Sequence, residues 1–342
     1  MLRSYLRAAS TIPQRSLHLS HTSIRRSIAC RTCTPPRGRA YATTAIPQPG
    51  PNCSENFRTF TGQPGKPDIY SFWEKQTCTW QYVVADPVTS KALIIDPVLD
   101  FDKANGRVST ETADCMLDFI ERRGLKITRI METHAHADHL TSSQYLKTKL
   151  GGNVPVCIGK RITKVQETFA PRYHVQPTEL QHTFDVYLED NEVFKLGDLE
   201  FEVMHLPGHT PDHVAYRVDS CVFTGDSIFE PDVGSARADF PGGSAKDLYK
   251  SLRKLMGLPG DYKLFVGHDY PPEGREPNCV STVDRHKATN KHINSTVDEP
   301  TFIKVREDRD KLLAAPRLLH PSLQVNIRGG RVPAKLVDPA SK

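Results

Sequence analysis

Apolar residues in this chain come in short bursts, and the bursts alternate between two periods. Over 81–85 and 92–95 the runs are continuous and β-rich. Asp86-Pro87 and Thr89-Ser90 lie between them, which predicts a hairpin of buried strands. Over 109–123, Met116, Leu117, Phe119 and Ile120 fall at helical spacing, and Gly124 follows as a C-cap. The run 127–131 reads as a strand leading straight into Glu132-Thr133-His134, and a helix carrying Leu140, Tyr145, Leu146 and Leu150 is expected after His139, ending at Gly151-Gly152. A strand at 154–158 and a helix near 160–169 follow, then paired strands at 193–196 with 199–205 and at 216–218 with 221–223. A helix at 245–256, a strand at 264–266 and a mostly helical stretch from 281 complete the pattern.

Strands and helices thus recur in both halves without a sequence repeat, and sheets flanked by helices are the economical way to bury such elements. The stretch 46–66 is dense in Pro, Gly and Asn and reads as a linker. The folded domain is expected over 67–331, with a flexible tail at 332–342. The chain of 342 residues has 38% hydrophobic residues, sufficient for a real core, and no run approaches the length of a membrane span.

Charge is unevenly placed. The net +5 includes eight Arg within residues 1–54 and no acid there, so the remainder carries −3. A slightly acidic body gives no electrostatic reason to expect nucleic-acid binding. The Arg- and Ser-rich, acid-free segment 1–45 has no secretory h-region and reads as an organellar transit peptide, with the mitochondrion as destination. Eight Cys show no disulfide ladder, which fits a reducing compartment, and Cys30-x-x-Cys33 lies inside the segment expected to be removed.

The chemistry concentrates in Thr133–His139, THAHADH, which places His134, His136, Asp138 and His139 within six residues at a strand end. His134 and His136, two apart in an extended segment, point the same way and can share a metal. A lone His is ordinarily a core or surface residue. Four such groups buried together without a cation would cost about 1–3 kcal/mol for each unpartnered polar group, which favours a metal site. The donors are imidazole and carboxylate, which suit zinc, iron or manganese and argue against a structural zinc knuckle. His209 in LPGHT follows a Pro-Gly turn, Asp226 in FTGDS follows a strand, and His268 in FVGHDY follows another. His205 and His213, and likewise His18, His21, His174, His182, His286, His292 and His320, read as structural.

THAHADH, LPGHT, TGD and GHDY in this order resemble the metallo-β-lactamase superfamily from about Ile69 to Gly329. The resemblance implies an α+β fold, the αββα four-layer sandwich. Within the superfamily the chain is most similar to persulfide dioxygenases, also called sulfur dioxygenases. This rests on Ala135 and Ala137 in the first motif, on GDSIFEPDVGSARADFPGG (225–243) and on PSLQVNIRGG (321–330). That likeness implies one Fe(II) per chain held by His134, His209 and Asp226, a facial triad with open positions. His136, Asp138, His139 and His268 would orient the triad or remain as a second ligand set. It further implies oxidation of glutathione persulfide by O2 to sulfite and glutathione in the mitochondrial matrix, with Asp138 and Tyr270 as catalytic groups. Arg237 and Tyr270 are the implied substrate contacts, Arg237 meeting either a glutathione carboxylate or an internal acid such as Asp239. No rhodanese domain is recognisable in the chain, so a separate rhodanese would deliver sulfur. The likeness leaves a homodimer open.

Two other readings remain. A dinuclear enzyme with two Zn(II) per chain, like glyoxalase II, would hydrolyse glutathione thioesters through a metal-bound hydroxide. A silent scaffold of the same fold would need lost ligands, and all seven positions are present.

Overall fold

The computed structural model describes residues 57–61 and 65–336. The expected transit segment, the Cys30/Cys33 pair, most of the expected linker and residues 337–342 lie outside the described residues.

The first half runs β1 (Phe57–Phe60), β2 (Asp68–Glu74), β3 (Thr79–Ala85), β4 (Lys91–Ile95), β5 (Val98–Asp102), β6 (Arg107–Ser109), α1 (Glu111–Arg123), β7 (Lys126–Met131), β8 (Leu140–Thr141), α2 (Ser143–Lys149), β9 (Val156–Gly159), α3 (Ile162–Phe169) and β10 (Val186–Leu188). The second half runs β11 (Val193–Leu196), β12 (Leu199–His205), β13 (Val214–Val218), β14 (Cys221–Phe223), α4 (Ala245–Met256), β15 (Lys263–Phe265), β16 (Val280–Thr282), α5 (Val283–Thr289), α6 (Glu299–Asp310) and α7 (Leu319–Asn326). A seven-stranded sheet has the order β1-β2-β3-β4-β7-β9-β10, a six-stranded sheet runs β11 to β16 in sequence order, and β6-β5-β8 form a small third sheet.

Residue alternation decides the layering. In β4, Ala92 and Ile94 face one apolar cluster together with Met116, Phe119 and Ile120 of α1, Leu146 of α2 and Val165 of α3. Leu93 and Ile95 face the other way, into a cluster with Phe201, Val203, Tyr216, Phe223 and Phe265 of the second sheet. The second sheet alternates likewise. Met204, Ala215, Val222 and Leu264 point outward to Leu248, Leu252 and Leu255 of α4, Val283 of α5 and Phe302 of α6. Three apolar interfaces therefore separate four layers, helix, sheet, sheet, helix. A central strand must then be apolar on both faces, which is why all of β3 is buried.

Two parts of the sequence reading need correction. Residues 57–60 lie in the expected linker, yet Phe57–Phe60 pairs antiparallel with β2 as the edge strand of the first sheet. The flanking Pro and Gly mask a four-residue strand whose stability comes from its neighbour. The helix expected directly after His139 is preceded by β8, because Leu140 and Thr141 pair with Leu99 and Val98. In the expected tail, Leu336 packs against a small apolar cluster around Leu99, Phe101, Leu140, Leu318 and Val325.

Cys78, Cys157, Cys221 and Cys279 are free thiols. Among the described residues no helix is long and apolar enough to cross a membrane.

Candidate metal centre

Strand direction places the site. The parallel neighbours β4 and β7 end on the same edge of the first sheet, so Asp96 and the loop 132–139 emerge together. The parallel neighbours β14 and β15 do the same in the second sheet, bringing out Asp226 and His268. The turn after β12 supplies His209 from a third direction.

Within THAHADH the alternation is that of an extended chain. Ala135 and Ala137 enter the outer apolar cluster, while the His134 and His136 rings approach to 4.1 Å between centroids. Gly225 sits at φ 49, and a Cβ there would lie 2.7 Å from both Thr133 Oγ1 and His213 Nε2, so only glycine lets Asp226 approach the first loop. Gly208 has φ 133 and sits against α4, where a Cβ would come within 2.1 Å of Leu248 N. The LPGHT turn is braced further by Ser251 Oγ, which donates to Pro207 O at 2.7 Å.

One carboxylate faces two donor sets. Asp226 Oδ2 lies 3.8 Å from His134 Nε2 and 3.7 Å from His209 Nε2. Its Oδ1 lies 3.4 Å from His268 Nε2, which is in turn 3.1 Å from Asp138 Oδ2. The donor atoms of His134, His209 and Asp226 all lie within 4.8 Å of one another, as do those of Asp138, Asp226 and His268, and those of His136, Asp138 and His139. All seven are buried except Asp138, whose side chain is 25% exposed.

The far ring nitrogens are held. His209 Nδ1–H donates to Arg237 O at 2.8 Å and His268 Nδ1–H to Cys78 O at 3.0 Å, which leaves each Nε2 as a lone pair facing the centre. His134 Nδ1 contacts Thr133 Oγ1 at 3.0 Å, and that hydroxyl donates to Asp96 Oδ2 at 2.8 Å. Five buried atoms facing the centre lack a hydrogen-bond partner: His134 Nε2, His136 Nδ1, His139 Nε2, His268 Nε2 and Asp226 Oδ1. A bound cation would satisfy all five, so the residues present fit a metal centre built from imidazole and carboxylate.

Several functional positions escaped the sequence reading. Asp96 accepts from Thr133 N at 2.7 Å and contacts His136 Nε2 at 3.1 Å, and Glu132 Oε2 reaches the same nitrogen at 3.3 Å. Burial would lower the His136 imidazole, but these two carboxylates lift it well above its usual value. Burial and the neighbouring rings of His136, His213 and His209 push His134 well down. Asp212 Oδ2 accepts from Ala135 N at 2.8 Å. His213 joins no donor set, yet its Nε2 accepts from Asp226 N at 2.9 Å and so seats the central carboxylate. The available signal was an acidic residue directly after an apolar strand, as at Asp96, Glu132 and Asp226.

Of the two partners expected for Arg237, the internal acid Asp239 is the one in contact. The Arg237 guanidinium is chelated by Asp239 at 2.5 and 2.6 Å and donates to Ala314 O at 2.8 Å. The Arg237 backbone carbonyl touches the centre through His209. Tyr270 is 47% exposed, stacked 5.8 Å from His268 and edge-on to Phe229 at 5.6 Å. It therefore forms part of the rim.

Comparison with known proteins agrees with this geometry. The model of the metallo-beta-lactamase superfamily matches residues 79–268. The chain is 43% identical over 268 residues to the "Beta-lactamase hydrolase-like protein" of Xylella fastidiosa, with 78% of this chain covered and 62% of that protein. It therefore spans less than two thirds of that relative. It is 43% identical over 274 residues to "Glyoxylase B2" of Dictyostelium discoideum, covering 79% and 93%. It is 30% identical over 265 residues to the mitochondrial persulfide dioxygenase of Homo sapiens, covering 77% and 88%. The crystal structure of ETHE1 from Myxococcus xanthus superposes with TM-score 0.61 at 27% identity, covering 77% of this chain and 99% of that one. With its four layers, its converging donors and these relatives, the chain belongs to the metallo-beta-lactamase superfamily.

Proposed function

We propose that the chain is a persulfide dioxygenase that uses one Fe(II) to oxidise glutathione persulfide in the mitochondrial matrix. The observation that carries this reading is the convergence of His134, His209 and Asp226, from three separate loops, within 4.8 Å of one another. Such a facial triad suits Fe(II) and would supply open positions at which the terminal persulfide sulfur and O2 meet. The persulfide relative and the ETHE1 structure support it, as does the Arg-rich, acid-free start of the chain. One persulfide, one O2 and one water give glutathione, sulfite and two protons. The S–S and O–O bonds break, and four electrons pass from the terminal sulfur to oxygen.

The chain's own groups prepare this step. The Arg237 carbonyl and Thr133 hydroxyl hold His209 and His134 with their Nε2 lone pairs inward. Asp138, the partly exposed member of the donor groups, is the proposed catalytic carboxylate, lying 3.1 Å from both His139 Nδ1 and His268 Nε2, and Tyr270 lines the entry for the persulfide. A separate rhodanese-type enzyme would supply that substrate.

A second reading has its own support. Asp226 Oδ1 faces Asp138 and His268 as a second donor set, and "Glyoxylase B2" is a 43% identical relative. It makes the chain a dinuclear Zn(II) hydrolase of glutathione thioesters. Metal analysis of the purified protein, with O2 uptake on glutathione persulfide compared with hydrolysis of lactoylglutathione, separates the two. One iron per chain and fast O2 uptake are expected, with both iron retention and O2 uptake lost in Asp226→Ala. Two zinc ions and thioester hydrolysis would overturn the proposal.

A further inference from the structure

We infer that Asn326, in the C-terminal helix α7, is a positioning residue for the metal centre, its side-chain amide fixing the turn that carries His136, Asp138 and His139. Asn326 Nδ2 donates to His136 O and to His139 O, each at 2.8 Å, and its Oδ1 accepts from Thr141 N at 2.9 Å. Both N–H bonds and the carbonyl are thus spent on one six-residue stretch, from a residue 190 positions away that is 3% exposed. The two tethered carbonyls sit at either end of the His-Ala-Asp-His turn. Within it the His136 and His139 rings lie 4.2 Å apart, and Asp138 Oδ2 reaches His139 Nδ1 at 3.1 Å and His268 Nε2 at 3.1 Å.

Asn326 touches no donor atom, so it acts through the backbone that aims them. The helix that carries it is anchored elsewhere. Leu323 and Ile327 pack in the outer apolar cluster, Val325 packs against Leu99 and Leu140, and Gln166 Nε2 donates to Ile327 O at 2.9 Å. The fully engaged amide sets where the turn sits relative to Asp226, while the apolar packing of Leu323, Val325 and Ile327 keeps the helix seated even without the Gln166 hydrogen bond. Held groups bind a metal more tightly than groups that must be ordered on binding.

The inference rests on the reading of His136, Asp138 and His139 as metal donors, and it holds for either metal proposed above. Asn326→Asp keeps the shape and removes both donors, setting a carboxyl against two carbonyl oxygens. Gln166→Ala loosens the same helix end away from the turn and serves as the control. Metal-free proteins are titrated with Zn(II) against a chromophoric chelator, and the visible absorption of the Co(II)-loaded forms is recorded. Asn326→Asp should bind Zn(II) at least about ten-fold more weakly and shift the Co(II) bands, while Gln166→Ala melts earlier but keeps wild-type affinity and spectrum. Should Asn326→Asp not fold, Asn326→Ser takes its place with the same expectations. Wild-type affinity and bands in the Asn326 variant, or an equal loss of affinity in Gln166→Ala, would overturn the inference alone. A wild-type protein that takes up neither ion would overturn the metal reading and this inference with it.

Discussion

Replacing Glu230 by Gln should stabilise the protein at pH 8 and leave it nearly unchanged at pH 4.5. Glu230 lies four residues after Asp226 and is 2% exposed, with Oε1 unpartnered. Burial pushes its carboxyl up to about 7 from 4.5, helped by the negative charge of Asp269 and opposed by a hydrogen bond from Asn278. Between those pH values the folded protein keeps a proton that the unfolded chain has released. Stability therefore falls as pH rises through the window, by about 1.4 kcal/mol per pH unit, and about 3 kcal/mol is lost by pH 8. Gln has the same shape and no charge to desolvate, so the variant recovers up to about 3 kcal/mol at pH 8. At pH 4.5, where the folded carboxyl is protonated and the unfolded one half so, the gain shrinks to below about 1 kcal/mol. Urea unfolding of both proteins at the two pH values measures the difference, with equal m-values showing that it belongs to stability. An equal gain at both values, or a loss at pH 8, would refute the argument that an ionised buried carboxylate is the cause.

Two further outcomes are expected. Asp96→Asn weakens charge-assisted hydrogen bonds to Thr133 and His136, so urea unfolding of the metal-free variant at pH 7 should show a loss of about 3 kcal/mol. Its metal retention should fall as well, because Thr133 no longer fixes His134. Gly208→Ala forces a Cβ to within 2.1 Å of Leu248 N at φ 133, which should cost about 3 kcal/mol or more. Thermal unfolding would register this as a lower midpoint, and an unchanged midpoint would mean that α4 does not brace the His209 turn.

How much was legible in the sequence differed by kind of element. The paired strands Val193–Leu196 and Leu199–His205 and the helix Ala245–Met256 have the bounds their hydrophobic periods predict. The helix Glu111–Arg123 ends at Gly124, whose φ of 61 is the left-handed cap its position suggests. Such elements are set by short-range repetition, so the sequence carries their full signal. The short strands β1, β5 and β8 carried little signal of their own. Each is held by pairing with a partner distant in sequence or already in place.

The centre divides in the same way. The identity of its candidate donors was determined by the sequence, since THAHADH concentrates imidazole and carboxylate beyond what a core tolerates without a cation. The groups that orient those donors were decided only by tertiary structure. Asp96 acts on Thr133 across 37 residues, Asp212 on Ala135 across 77, and Asn326 on His136 across 190. Nothing near Asn326 in the chain marks it, because a hydrogen bond of one amide to a distant carbonyl leaves no periodic trace. The pairing of Arg237 has a related cause. Charge and position suit it for a substrate carboxylate or for an internal acid, and the fold brings Asp239 onto the guanidinium through geometry that local sequence does not encode.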